Sequence, residues 1–506
     1  MEVKVAQIAR HIEVISSSMS GENVVKSLQE LILIVDSRNF NGEQLLELIP
    51  PSLLFRRLSS SDRNGEIKHC SILLKKLLNY MKAEEVITKY GMEAMQGVNH
   101  PTVEVRELCL HQCERCVQTN NGVLKIIENV DLINYIIRNL AHSDMGCAKI
   151  SRDILVSVSR HGDGLALLLQ ANTQSEFAEL MKESDTICFR VFELFVKIFE
   201  VNQDSFEKFQ AIFNSFVAKI NSNDVLLQMN CIEMLTDLII INDTAFQFAE
   251  ETGVSQKLYD LFQNQESNPH VALLVPAIVK FFGFLSVKNC KFVMEKYPQF
   301  FEFIFLCITS NNDPILLPVA LDTVGAIGQS NTGLVAMFQH DTQQNLMVAL
   351  GEYLRNADEK IKIHCLECLA SLFTDDNNSD NHSHDLIHTL YKKIHTYPLP
   401  TLFDVLKQPF NNVRSSCYKV LHSLSSFPWM LADMKITPGF FEYLLDRRTE
   451  NEKEGQELKY EVIKKITVCP DASNIFDKPM ILKLKQYIRD GPFYVGSDVS
   501  VIMDES

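Results

Sequence analysis

An amphipathic helical unit recurs along this chain at a near-constant interval, and no other feature restricts the possible folds as much. Its clearest copy is 225–253, VLLQMNCIEMLTDLIIINDTAFQFAEETG. Apolar residues at Val225, Met229, Ile232, Leu235 and Ile239 fall three and four apart, the period of a helix with one buried face. Asn242 or Asp243 is positioned to cap a second, shorter helix through Phe246 and Ala249, and Gly253 supplies the left-handed residue that ends it. A third segment, 254–262, sets Val254, Leu258 and Leu261 on one face. Three helices that each leave an apolar stripe uncovered need copies of themselves stacked on either side.

The copies are present. Related segments occur at ELCLHQCERCV (107–117), SRDILVSVS (151–159), RVFELFVKIF (190–199), AIVKFFGFLS (277–286), VALDTVGAIG (319–328) and HCLECLASLF (364–373). Aligning them on Glu233 matches His111, Asp153, Glu193, Lys280, Asp322 and Glu367, at intervals of 42, 40, 40, 47, 42 and 45 residues. A fainter unit, CYKVLHSLS (417–425), extends the series to Lys419. The intervals match the period of about 40–47 residues found in armadillo and HEAT repeats. The expected fold is all-α, an armadillo/HEAT-type α-solenoid. Residues 1–100 are expected to be degenerate helical repeats that cap the array, and 101–374 the regular repeats. The run 375–385, DDNNSDNHSHD, reads as an exposed polar loop, 386–495 as the closing repeats and cap, and 496–506 as a flexible tail.

Charge limits what such an array would touch. The 506 residues carry a formal charge of −16, which phosphate backbones repel. The paired bases Arg56-Arg57, Lys75-Lys76, Lys392-Lys393 and Lys464-Lys465 are scattered and none grows into a run, so nucleic acid is not an expected partner. The N-terminus lacks the uninterrupted apolar core of a signal peptide, and the apolar runs 31–35 and 238–241 are too short to span a bilayer. No membrane association is expected. Thirteen cysteines without a secretion signal read as reduced thiols, which suits a cytoplasmic, and also a nuclear, location. Only 19 glycines and 16 prolines suit long helical runs rather than a turn-rich β protein.

Few side-chain groupings suggest chemistry. Cys109, Cys113 and Cys116 have spacings a metal accepts, but on a helix they form one buried stripe and no second cluster follows. Cys365 and Cys368 lack a partner pair and sit inside a helical repeat. His382, His384 and His388 crowd near Asp380 and Asp385, as an acidic loop does without a metal. Gly162-Asp163-Gly164 follows no strand and lacks the third glycine of a dinucleotide site. Gly325 and Gly328, three residues apart on a helix, suit close packing between neighbouring repeats. Catalytic, cofactor and metal residues are not expected, and the chain reads as a non-enzyme.

The aligned column is the remaining candidate. In armadillo repeats its helix lines the concave groove, so Asp153, Glu193, Glu233, Asp322 and Glu367 would form a ladder of carboxylates, interrupted by Lys280. Such a ladder would steer a basic partner surface. Reversing Glu193, Glu233 and Glu367 together to lysine is then expected to weaken partner binding and leave folding intact.

Beyond periodicity, CIEMLTDL (231–238), PAIVKFFGFLSV (276–287), LDTVGAIG (321–328), PGFFEYLLDR (438–447), KYEVIKK (459–465) and GPFYV (491–495) resemble, in order, segments of the 26S proteasome non-ATPase regulatory subunit 5 family. The resemblance covers the chain from about residue 180 to the end. It implies a non-catalytic chaperone for assembly of the base of the proteasome regulatory particle. Such a chaperone binds the C-terminal domain of an ATPase subunit, regulatory subunit 7, holds it with its base-module neighbours, and leaves before the complete proteasome forms. A monomer outside that complex is expected. The alternative is an armadillo-type adaptor for basic peptides in transport or signalling. Adaptors of that kind line the groove with Trp and Asn. This chain has one tryptophan, Trp429, and carries Arg115, Ser157, Lys197, Asp237, Phe284, Ala326 and Ser371 at the Asn positions.

Overall fold

The computed structural model describes residues 2–17, 21–37, 40–60, 63–202, 208–222, 224–241, 243–265, 268–310, 313–340, 345–374 and 381–494. Among them every regular element is a helix. The three- and four-residue spacing of apolar positions accounts for this: each helix buries one stripe and leaves the rest to solvent. Contacts divide the chain into two units, Met1–Ser222 and Asn223–Ser506.

In the first unit the helices Asn64–Leu78, Val103–Cys116, Met145–Ser159 and Asp185–Val201 pack each on the next. Leu108, Cys109 and Cys113 are buried on the second of these helices, and Ile154, Leu155 and Val158 on the third. Phe195 closes the series, its ring 5.1 Å from Phe177 and 4.8 Å from Phe209, with Phe192 4.9 Å from Phe213. Polar side chains tie successive layers. Arg115 donates to the carbonyls of Leu78 and Met81 (3.2 and 3.1 Å), Arg190 to those of Leu140 and His142 (3.0 and 2.7 Å), and Asn202 to that of Ser159 (3.1 Å). Each reaches the end of an earlier helix, where backbone carbonyls have run out of intrahelical donors.

In the second unit the series runs Val225–Ile241, Pro269–Lys296, Leu316–Gly328, Glu359–Leu372, Asn411–Leu424, Lys453–Val468 and Lys478–Asp490, each against the next. A second row, Pro298–Ser310, Asn345–Asn356 and Asn381–Ile394, packs in the same order. Gly253 adopts φ +73°, the left-handed conformation that lets the chain leave the Asp243–Glu251 helix and enter Val254–Gln263. At Gly325 an added Cβ would lie 3.0 Å from the Cα of Cys368, and at Gly328 2.3 Å from Leu372. The expected close packing at both glycines is therefore real.

The helix Pro269–Lys296 is 28 residues long, and its most apolar 18-residue stretch has a mean hydropathy of 1.9. Length and composition alone would fit a membrane span. Here it lies between two neighbouring helices with 61% of that stretch buried, and it breaks at Asn289, where φ is −151° and ψ 81°. It is a core helix.

The expected loop 375–385 requires correction. Residues 375–380 lie outside the described residues, whereas Asn381–Ile394 is a helix with Ser383, Ile387, Leu390, Tyr391 and Ile394 buried. The apolar period extends one turn further towards the N-terminus than the polar composition suggests. Polar residues are favoured in a first turn because its N–H groups have no intrahelical acceptor. The expected tail, 496–506, also lies outside the described residues.

Candidate functional site

The structure places the aligned column on exposed or half-buried positions of successive helices, and it pairs most of its carboxylates. In the first unit Arg152 donates to Asp153 (3.0 Å) and to Glu193 on the next helix of the series. His111 contacts Glu114 on its own helix at 2.9 Å. In the second unit Asp322 meets His364 at 2.7 Å and Glu367 accepts from Lys419 at 3.0 Å, in each case across to the next helix. The Arg152–Glu193, Asp322–His364 and Glu367–Lys419 contacts act as cross-links between neighbouring layers, and Arg152 and Lys419 offset part of the negative field that a row of free carboxylates would produce. Glu233 and Lys280 differ: both are exposed, and neither has an ion pair among the described residues. The basic partners Arg152 and His364 sit one and three residues before column positions, and composition alone does not single them out.

The other sequence candidates are absorbed by packing. Cys109, Cys113 and Cys116 are buried, and burial pushes Cys109 and Cys116 up to about 12 and Cys113 well above its ordinary value. Cys365 and Cys368 are buried and raised in the same way. Such thiols are poor nucleophiles. The side chain of His382 lies outside the described residues. His384 stands edge-on to Phe427 at 5.2 Å, and His388 stacks on Trp429 at 4.4 Å, with Phe427 stacked against the same indole at 5.3 Å. Burial and Lys392 pull His388 below its ordinary pKa. Gly162, Asp163 and Gly164 start a short helix, Gly162–Leu168, with His161 as its cap. Among the described residues no group of three or more His, Cys, Asp or Glu side chains is placed to hold a metal ion.

A polar cluster near the C-terminal end escaped the repeat alignment, which stops at Lys419. Arg414 donates through Nε and Nη2 to both oxygens of Glu450 (2.9 and 3.0 Å), and each partner is almost fully buried. Lys459, 1% exposed, donates to Thr449 Oγ1 at 2.7 Å and to the carbonyl of Asp446. Burial draws Lys459 down to about 8, against the opposing pull of Glu450 and Asp446. Gly455 makes room for this arrangement: an added Cβ would lie 2.7 Å from Glu450 Oε2. The cluster joins the Asn411–Leu424 and Lys453–Val468 helices and the turn between Leu445 and Lys453. Its groups are consumed by one another, which suits a structural tie rather than a ligand site.

Comparison with known proteins gives one result over nearly the full length. Residues 5–505 match the protein family described as proteasome non-ATPase 26S subunit. The 26S proteasome non-ATPase regulatory subunit 5 of Bos taurus is 27% identical over 499 residues, covering 98% of each chain. The protein of that name from Homo sapiens is 28% identical, covering 87% of this chain and 88% of its own. The Mus musculus protein is 26% identical over 98% of both.

Proposed function

This chain belongs to the proteasome non-ATPase 26S subunit family, and from that premise we propose that it is a non-catalytic chaperone for assembly of the base of the regulatory particle. It binds the C-terminal domain of one ring ATPase, regulatory subunit 7, holds it with its base-module neighbours, and departs before the complete particle forms. The observation that carries the reading is the end-to-end match to relatives named as regulatory subunit 5, with 98% of both chains aligned. Helical layers joined by exposed and half-buried ion pairs agree with it. A helper that must let go suits a moderate, polar interface rather than an obligate apolar one. By occupying the ATPase's C-terminal domain it sterically delays docking onto the proteolytic core. We place this activity in the cytoplasm, with the nucleus open to it as well.

The test is a binding measurement between the full chain and the isolated C-terminal domain of regulatory subunit 7, with the equivalent domain of a different ring ATPase as control. Selective binding is expected. Equal binding to both domains, or to neither, overturns the proposed partner. A ternary complex of core particle, ATPase and this chain that forms without competition overturns the steric step alone.

A further inference from the structure

The helix Lys478–Asp490, last in the series of the second unit, carries four basic side chains and one acidic one. That balance is opposite in sign to the formal charge of −16 on the whole chain. Lys478, Leu482, Lys485 and Arg489 follow one another at four, three and four residues, which sets them in one stripe along the helix. All four are exposed, Leu482 by 67%. The far side of the helix buries Leu484 and Tyr487, and the helix packs on Lys453–Val468.

The carboxylates nearby are committed elsewhere. Asp477 caps the helix, accepting from the N–H of Met480 at 2.9 Å. Asp490 meets Arg447 at 3.8 Å and accepts from Gln486 at 2.8 Å. On the adjoining helix Glu457 faces Lys453 at 3.9 Å and Glu461 holds Lys464 at 3.1 Å. Among the described residues Lys478, Lys485 and Arg489 have no ion pair. Other exposed lysines find a carboxylate three residues away, as Lys125 does in Glu128 and Lys182 in Glu179. Lys485 and Arg489, four residues apart, instead set like charges against each other. The stripe is also firmly held. At the far end of the helix from its Asp477 cap, Arg447 lies 3.9 Å over the Tyr487 ring and donates to the carbonyls of Tyr487 and Gly491 (3.1 and 2.7 Å).

We propose that this stripe docks a short acidic segment of a partner protein, one with an apolar residue among its carboxylates. Charge complementarity sets the sign. The three cations span 11 residues, about 16 Å along the helix axis, so one segment of about 12 residues in helical form reaches all of them. Leu482 favours a polypeptide over other polyanions: it stands between Lys478 and Lys485, where a phosphate chain has no apolar group to cover it. Size points the same way. A nucleic acid or an anionic membrane extends well beyond the screening length of about 8 Å and meets the negative charge of the remaining chain, whereas a short segment does not. The inference rests on the charge and packing of one helix and is independent of the ATPase partner proposed above.

The test is fluorescence anisotropy of a labelled 12-residue peptide against the full chain, with glutamate at positions 1, 5 and 12 and leucine at position 8 on an alanine background. Those positions match Arg489, Lys485, Lys478 and Leu482 in an antiparallel alignment. Binding is expected, weakened about tenfold by Lys478→Glu, Lys485→Glu and Arg489→Glu together, as three partly screened ion pairs would give. The triple variant is expected to bind instead the peptide with lysine at positions 1, 5 and 12, a gain that an unfolded chain would not show. Leu482→Ser is expected to weaken the acidic peptide about threefold. No binding by the wild-type chain, equal binding by the triple variant, or indifference to Leu482→Ser overturns the proposal. Tighter binding of a single-stranded DNA 12-mer or of phosphatidylserine vesicles makes the stripe a general polyanion site and overturns it too. Asp498→Asn, Asp504→Asn and Glu505→Gln together are expected to leave the peptide's affinity unchanged. A gain of about fivefold or more would identify the chain's own acidic residues as the occupant, and self-association abolished by the triple variant would identify a second copy. Either result overturns the proposal.

Discussion

Two stretches of the second unit solve the same packing problem with opposite uses of charge. At 225–328 the helices bury apolar stripes, and the charged side chains Glu233 and Lys280 stand in solvent, as do the aliphatic side chains of Leu226 and Leu273. At 411–468 charge has moved inside: Arg414, Glu450 and Lys459 are 8%, 3% and 1% exposed and bonded to one another's surroundings. Apolar interfaces between layers hold the first stretch, and its polar side chains Glu233 and Lys280 are left in solvent. In the second stretch a buried, directional network ties the Asn411–Leu424 and Lys453–Val468 helices to the turn between them. Charge position, not fold, separates the two stretches.

The largest expected effect falls on the closing region. Arg414→Met leaves the Glu450 carboxylate buried without its partner, and a loss of about 3–5 kcal/mol is expected in urea unfolding. Adding Glu450→Leu is expected to recover most of that loss, because the pair's value lies in mutual compensation. In the open stretch Leu226→Ser should stay within about 0.5 kcal/mol of wild type. Similar losses at both places would break the contrast.

Lys459 sharpens it through pH. Its ordinary value is 10.5 and burial lowers it to about 8 in the folded chain. Between those values the unfolded chain holds a proton that the folded chain lacks, so this residue's contribution grows as pH rises from 8 to 10.5 and is lost as pH falls. Every cysteine in the chain is buried, and thiols such as Cys109, held at about 12 against an ordinary 9.0, act the other way above pH 9. The informative quantity is therefore the difference between wild type and Lys459→Met, measured at pH 7 and pH 10. The wild-type advantage should be larger at pH 10, and a constant difference would show that Lys459 is not held with lowered proton affinity.

Close backbone approach gives the next effect in size. Gly325→Ala puts a methyl 3.0 Å from the Cα of Cys368, an atom that moves only with its helix. A cost of about 1–3 kcal/mol is expected, reduced by up to about 1 kcal/mol from alanine's better helix propensity. Gly91→Ala, with nothing within 4 Å of the added carbon, should be neutral or stabilising. Thermal unfolding of the two variants separates these outcomes.

Much of this was legible in the sequence, for identifiable reasons. The helices and their order follow from apolar periodicity, and the turn at Gly253 and the contacts of Gly325 and Gly328 follow from the one property glycine alone has. The alignment marked Asp322 and Glu367 as positions on successive helices, but not their partners, His364 and Lys419. Pairing itself was hidden, because a carboxylate at a register position looks the same whether Arg152 folds back on it or water surrounds it. The Arg414–Glu450 contact joins residues 36 apart across an irregular turn, where no period guides the eye. The start of the Asn381–Ile394 helix was masked by its composition, since the polar residues that cap a helix are those that favour a loop.

The smallest effect decides what the column is for. Reversing Glu193 or Glu367 to lysine places a cation against Arg152 or Lys419, whereas Glu233→Lys meets no partner. These pairs are partly exposed, so screening keeps each worth no more than about 1 kcal/mol. Glu193→Lys and Glu367→Lys are therefore expected to lower the unfolding midpoint slightly, and Glu233→Lys to leave it unchanged. The triple reversal confounds a stability change with a binding change, and Glu233→Lys alone is the clean probe of steering. If all three substitutions leave stability untouched, the cross-links between layers contribute nothing measurable. The carboxylates of Glu193 and Glu367 would then be as free for a basic partner as that of Glu233, and the distinction between open and closed stretches would rest on the buried cluster alone.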